Sequence, residues 1–134
     1  MNILEISTVQ EQTVLENGYV VFENTDIAHG CAIRHVNGTD NVNIPTTGVY
    51  KIFFSADFLP VAAGDITVTL ENNGVPIAST VFTGVLNVQK RISFMRAIDV
   101  RRSCACVNNT ANLKIRSSEA VTVSNATLLI DRKE

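Results

Sequence analysis

A chain of 134 residues, 46% hydrophobic and only 18% charged, is long enough for one domain with a real core. Its charged fraction falls below the usual quarter, which suggests that another chain covers part of its surface. A formal charge of -2 supplies no basic excess for nucleic acid or anionic lipid, and no apolar run approaches the roughly 20 residues that span a bilayer.

The opening "MNILEISTVQEQ" lacks the basic start and apolar centre of a Sec-type signal peptide. Ile3, Leu4, Ile6 and Val9 fit either an extended arm or a short helix. Residues 1–17 are therefore expected to form an N-terminal arm, distinct from a head over residues 18–134, that attaches by adding a strand to a neighbouring sheet edge. Asn17-Gly18 closes that segment with a turn signal.

Beyond it nearly every segment reads with a period of two. In "GVYKIFFSADF", Tyr50, Ile52, Phe54, Ala56 and Phe58 share one parity, with Lys51, Ser55 and Asp57 on the other. Phe53 is the exception, an aromatic on the side that should meet water. Ile66, Val68 and Leu70 alternate with Thr67, Thr69 and Glu71 before the turn Asn72-Asn73-Gly74. Pro76 marks the next run, "VPIASTVF", as an edge or a strand start. Val88, Ile92, Phe94, Ile98 and Val100 share a parity, Leu113 and Ile115 repeat it, and "AVTVSNATLLIDRKE" closes the chain. Many short strands separated by polar turns, with no helical stripe, specify an all-β antiparallel sandwich or jelly roll.

The order "VNIPTTGVYKIFFSADF", "GDITVTLENNGVPIAST", "VTVSNATLLIDR" resembles the tumour necrosis factor and complement globular-head superfamily. Gly48, Tyr50, Ile52 and Phe54 match its Tyr strand; Leu70, Asn73 and Gly74 match its Asn-Gly hairpin; Ala126, Leu128 and Ile130 match its last strand. The likeness is nearer still to small members encoded by phages and prophages of Gram-positive gut bacteria, where a "GCAIRH"-like strand (Gly30 to His35) and a "V-x-R-x-C-x-C"-like segment (Val100 to Cys106) hold these places. It covers roughly residues 18 to 132 and departs from the superfamily in having no collagen-like stalk ahead of the head. The resemblance implies a two-sheet jelly roll assembled as a compact homotrimer, with Tyr50, Phe53 and Leu129 at the trimer interface. Phe53 would then be buried between protomers instead of facing water.

Chemistry-bearing constellations are sparse. His29, Cys31 and His35 lie close in sequence, but Cα atoms four residues apart on a strand are roughly 13 Å apart, too far for one ion; a buried Cys31 beside two ordinary histidines is the expectation. A single His from each subunit on a threefold axis, or calcium at Asp26 and Asp40, are the alternatives. Cys104 and Cys106 share a strand face without the Cys-x-x-Cys redox spacing, and are expected in the core. With three cysteines that cannot all pair, the simplest setting is a reducing cytosol. No nucleophile elbow, phosphate loop or zinc-protease motif occurs, so neither catalysis nor a cofactor nor a bound metal is expected.

The resemblance to phage-encoded members implies a non-enzymatic structural protein of a phage virion, a capsid decoration or a fibre or baseplate head, made in the host bacterial cytoplasm and partnered by other virion proteins. The competing expectation is recognition of a host-surface glycan or protein through outer loops that contain Asn37, Asp40, Asn41, Asp65 and Asn87. Neither reading involves nucleic acid or insertion into a membrane.

Overall fold

The alternation becomes strand almost throughout. In the computed structural model, which describes residues 1–100 and 110–133, the elements are β1 (Ile3–Thr8), β2 (Gln12–Val14), β3 (Asn24–His29), β4 (Asn41–Ile44), β5 (Gly48–Pro60), β6 (Gly64–Asn72), β7 (Val75–Gly84), β8 (Lys90–Val100), β9 (Ala111–Ser117) and β10 (Val121–Arg132). No helix occurs among the described residues.

The strands form two antiparallel sheets. One has six strands, in the order β3-β1-β10-β5-β8 with β2 also on β10; the other has four, in the order β4-β9-β6-β7. The last strand thus lies between β1 and β5, and β9 between β4 and β6, which are the crossed connections of a jelly roll. Pro76 sits on β7, an edge strand, where its missing N–H costs no ladder bond. The β6–β7 hairpin turns through Asn73 at φ 53° and Gly74 at φ 82°, the pair of positive angles that a two-residue hairpin turn demands.

The core fills the space between the sheets. Tyr50, Ile52, Phe54 and Phe58 from β5 are fully buried, as are Val68 and Leu70 from β6 and Leu113 and Ile115 from β9. Each such side chain contributes about 1.5–3 kcal/mol of apolar burial, and Phe54 packs edge-on to Phe58 with ring centroids 6.3 Å apart. Tyr50 can be buried because its hydroxyl donates to the Thr46 carbonyl at 2.7 Å. Burial also raises its phenol pKa above the ordinary tyrosine value.

Four expectations are corrected. Residues 1–17 are not a separate arm: β1 is an interior strand paired with β10 on one side and β3 on the other, and its Leu4 and Ile6, with Val14 of β2, are buried in the core. Strand addition does occur, but within the chain's own sheet. Gly30 to His35 is not a strand either. It bends around the Asn2 side chain, which accepts the Ala32 N–H at 3.2 Å, and only Arg34 makes a bridge, to Asn43. Gly30, at φ 80°, has no room for a Cβ against Asn2, and Cys31 is exposed, not buried. Finally, Tyr50 has no exposed surface, because its own sandwich covers it completely. It therefore cannot line an interface on the opposite face of its strand. The segment holding Arg101, Arg102, Cys104 and Cys106 lies outside the described residues.

Candidate interaction surface

The strand parity that sends Tyr50 inward sends Phe53 outward, onto the face of the six-stranded sheet turned away from the core. The register across that sheet aligns Ile27 with Glu5, Glu5 with Leu129, Leu129 with Phe53, and Phe53 with Met95. Residues directly opposite in antiparallel strands point to the same face, so these five side chains form one row across β3, β1, β10, β5 and β8. Four of the five are large and apolar. Phe53 is 40% and Met95 58% exposed, and Leu129 between them is half-buried.

Beside this row lies a depression of about 270 Å³ lined by Lys51, Phe53, Met95, Leu129, Asp131 and Lys133. Lys133 bonds Asp131 at 2.7 Å, which supplies a charged rim to an apolar floor. On the other side, Ser7, Thr127, Ser55 and Ser93 form the adjacent row, small side chains that let a neighbouring surface approach closely. Next to that row sits Asp57, bound by Asn125 at 3.0 Å and Arg91 at 3.1 Å. The Asn125 hydrogen bond is the largest effect on its carboxyl and, helped by the Arg91 guanidinium, holds it below the ordinary aspartate pKa against the opposing effect of burial, which is second in size. Asn125 reaches Asp57 because β10 bulges between Ser124 and Thr127, with Asn125 at φ 49°.

The outer face of the four-stranded sheet is different in kind. Glu71 is buried there, accepting from the Tyr19 hydroxyl at 2.8 Å and from Arg116 at 3.1 Å, and Lys114 lies over the Tyr19 ring at 4.8 Å. The hydrogen bond to Glu71, and secondarily burial, raise the Tyr19 pKa. This network fastens the chain after β2 onto β9, where Tyr19 bridges Arg116, and its polar groups satisfy one another.

Of the expected interface residues, Phe53 and Leu129 share the outer face, while Tyr50 is internal. Ile27 and Met95, which sequence reasoning missed, complete the row; Met95 carries the same signal as Phe53, a large apolar residue out of phase with Ile92, Phe94 and Ile98. The five loop residues do not converge. Asn37 and Asp40 precede β4 and Asn41 opens it, at one edge of the four-stranded sheet, where Asp40 approaches Lys114 at 3.9 Å; Asp65 and Asn87 lie at the end where β6 starts and β7 gives way to β8. His35 is tied into its loop, its ring nitrogens 2.8 Å and 3.0 Å from the carbonyls of Asn41 and Phe22. Among the described residues no three His, Cys, Asp or Glu side chains are placed to hold a metal ion.

No family model and no curated protein matches the chain. Solved structures do match its shape. The globular domain of zebrafish complement 1qA protein superposes with TM-score 0.74 at 11% identity, covering 100% of this chain and 98% of the other. Murine APRIL at pH 5.0 gives TM-score 0.72 at 11% identity over 98% of each chain. Eiger TNF from S. frugiperda gives 0.76 at 10% identity over 99% of this chain and 92% of the other. At these identities the likeness shows the fold, the jelly roll that those domains share.

Proposed function

We propose that this protein is a non-enzymatic interaction module that works as a homotrimer, with the outer face of its six-stranded sheet turned toward the other copies. The observation that carries this reading is the transverse row Ile27, Leu129, Phe53 and Met95. A face flanked by small hydroxyl residues and centred on half-exposed aromatic and thioether groups has the apolar core and polar rim of a protein interface. Phe53 is 40% exposed, so covering it alone removes apolar surface worth on the order of 1 kcal/mol in each subunit, a fraction of the roughly 1.5–3 kcal/mol of a full burial. The tumour necrosis factor and complement folds that the chain resembles support three as the number of copies. Size-exclusion chromatography with light scattering tests it: the mass at micromolar concentration should be three times 14.6 kDa, and a single-chain mass overturns it.

Within that reading the module is a component of a phage particle, attached to other virion proteins. This placement rests on the likeness of Gly30 to His35 and Val100 to Cys106 to phage-encoded relatives. Mass spectrometry of purified particles tests it, and a chain found only in the host cell lysate refutes it.

A further inference from the structure

Loops at the ends of a sandwich are ordinarily polar and carry function; those at one pole of this molecule are apolar. Val61 lies in the β5–β6 connection, Val85, Leu86 and Val88 in the β7–β8 connection, and Leu15 follows β2; each is more than half exposed. Strand register brings them to the same pole. Gly64 pairs with Gly84, Pro60 with Val121, and Val121 with Val14. The approach is close: a Cβ on Gly84 would meet Pro60 and Ile66 side chains at 2.9 Å. Both chain ends lie at the opposite pole, where the Arg132 N–H donates to the Asn2 carbonyl at 3.0 Å.

Beside Val61 is a depression of about 300 Å³ rimmed by the carboxylates of Glu16, Asp65 and Glu119. All three are exposed. Asp65 accepts a hydrogen bond from Thr83 at 3.1 Å, and none of the three pairs with a cation among the described residues.

We propose that this pole is a docking surface for a protein segment that carries aliphatic side chains beside lysine or arginine. The apolar loops need an apolar partner, and the unpaired carboxylates select its charge. A second copy docked pole to pole would oppose like charges, an anionic bilayer would be repelled, and a glycan would find no aromatic ring on which to stack. A basic, aliphatic segment answers both features, its cations steering encounter and its apolar side chains supplying affinity. The surface lies on a different side of the molecule from the sheet face proposed for trimer formation, and the proposal does not rest on that reading.

The test is an NMR titration of the isotope-labelled full chain with two extended peptides, acetyl-Val-Arg-Leu-Arg-Val-amide and its Glu-for-Arg counterpart. The expected result is saturable shifts at Val61, Asp65, Leu86 and Glu119 with the arginine peptide, and affinity about tenfold lower for the glutamate peptide. Leu86→Ser, and separately Glu16→Gln with Asp65→Asn and Glu119→Gln, should each weaken the arginine peptide about tenfold. Equal affinity for the two peptides, shifts elsewhere, or no binding at millimolar peptide overturns the proposal. So does co-sedimentation of the chain with phosphatidylglycerol vesicles through Leu86, or pole-to-pole self-association abolished by Leu86→Ser. Repeating the titration in Phe53→Asp separates this surface from the trimer, because peptide binding should survive that change.

Discussion

Phe53 of β5 and Met95 of β8 stand directly opposite one another on the face of the six-stranded sheet that points away from the core. Both are substantially exposed within one chain, and the half-buried Leu129 flanks Phe53 on its other side. Three large apolar side chains on adjacent strands make a continuous strip, unlike the scattered exposed apolar residues found on any protein surface.

Phe53→Asp should therefore abolish self-association while leaving the sandwich folded. Its carboxylate would be buried without a partner at each interface, a situation that costs several kcal/mol per ion, whereas in the free chain it points to water. Light scattering should report a single-chain mass at micromolar concentration, with the strand-type circular dichroism unchanged. Phe53→Leu should retain association. An unchanged mass for Phe53→Asp would place the interface elsewhere.

Removing residues 1–8 should unfold the protein. Leu4 and Ile6 are buried, and β1 holds β3 and β10 on its two sides. Losing one buried Leu or Ile side chain costs about 2–5 kcal/mol, so losing both along with a central strand exceeds the usual stability of a domain, about 5–15 kcal/mol. The truncated chain should show no cooperative thermal transition. A soluble, cooperatively melting product would mean that β1 is dispensable after all.

How much of this was legible beforehand follows from what the residues themselves encode. The β5 alternation fixed which of its side chains face the core, and the Asn73-Gly74 signal located a hairpin, because both depend only on neighbours in sequence. The position of β1 did not follow. Ile3, Leu4, Ile6 and Val9 are compatible with an arm, and only pairing with β10, more than a hundred residues away, makes β1 an interior strand. The turn at Gly30 was hidden for a similar reason, since the Asn2 side chain around which it bends comes from the far end of the segment. Tyr50 was misassigned by carrying a whole strand's likeness to the interface, although parity already separated it from Phe53. The apolar row itself needs the register of five strands at once, and a single strand reveals only its Phe53.

Gly74→Ala should destabilise through the backbone alone. Nothing lies within 4 Å of the position a Cβ would take, yet the residue holds φ 82°, which a residue with a Cβ adopts at a cost of roughly 1–2 kcal/mol. The urea midpoint should fall with an unchanged m value, and association should be unaffected. A midpoint equal to that of the parent would show that the hairpin relaxes into another turn.

Asp57 gives the acid side of the stability profile a residue-specific origin. Its pKa is lowered in the folded chain by the hydrogen bond from Asn125 and by Arg91, whereas unfolding returns it to about 3.9. The folded state therefore binds this proton less readily than the unfolded state. Its contribution is fully present above the unfolded pKa and is lost as pH falls through the lower, folded value. Asn125→Ala removes the largest cause of that depression. The variant should be less stable near neutral pH, and the difference from the parent should shrink as the pH drops below about 4. Denaturation curves across that range measure it directly. A stability gap that stays constant into acid would mean that Asn125 acts through the β10 bulge it shapes, and not through the Asp57 carboxylate.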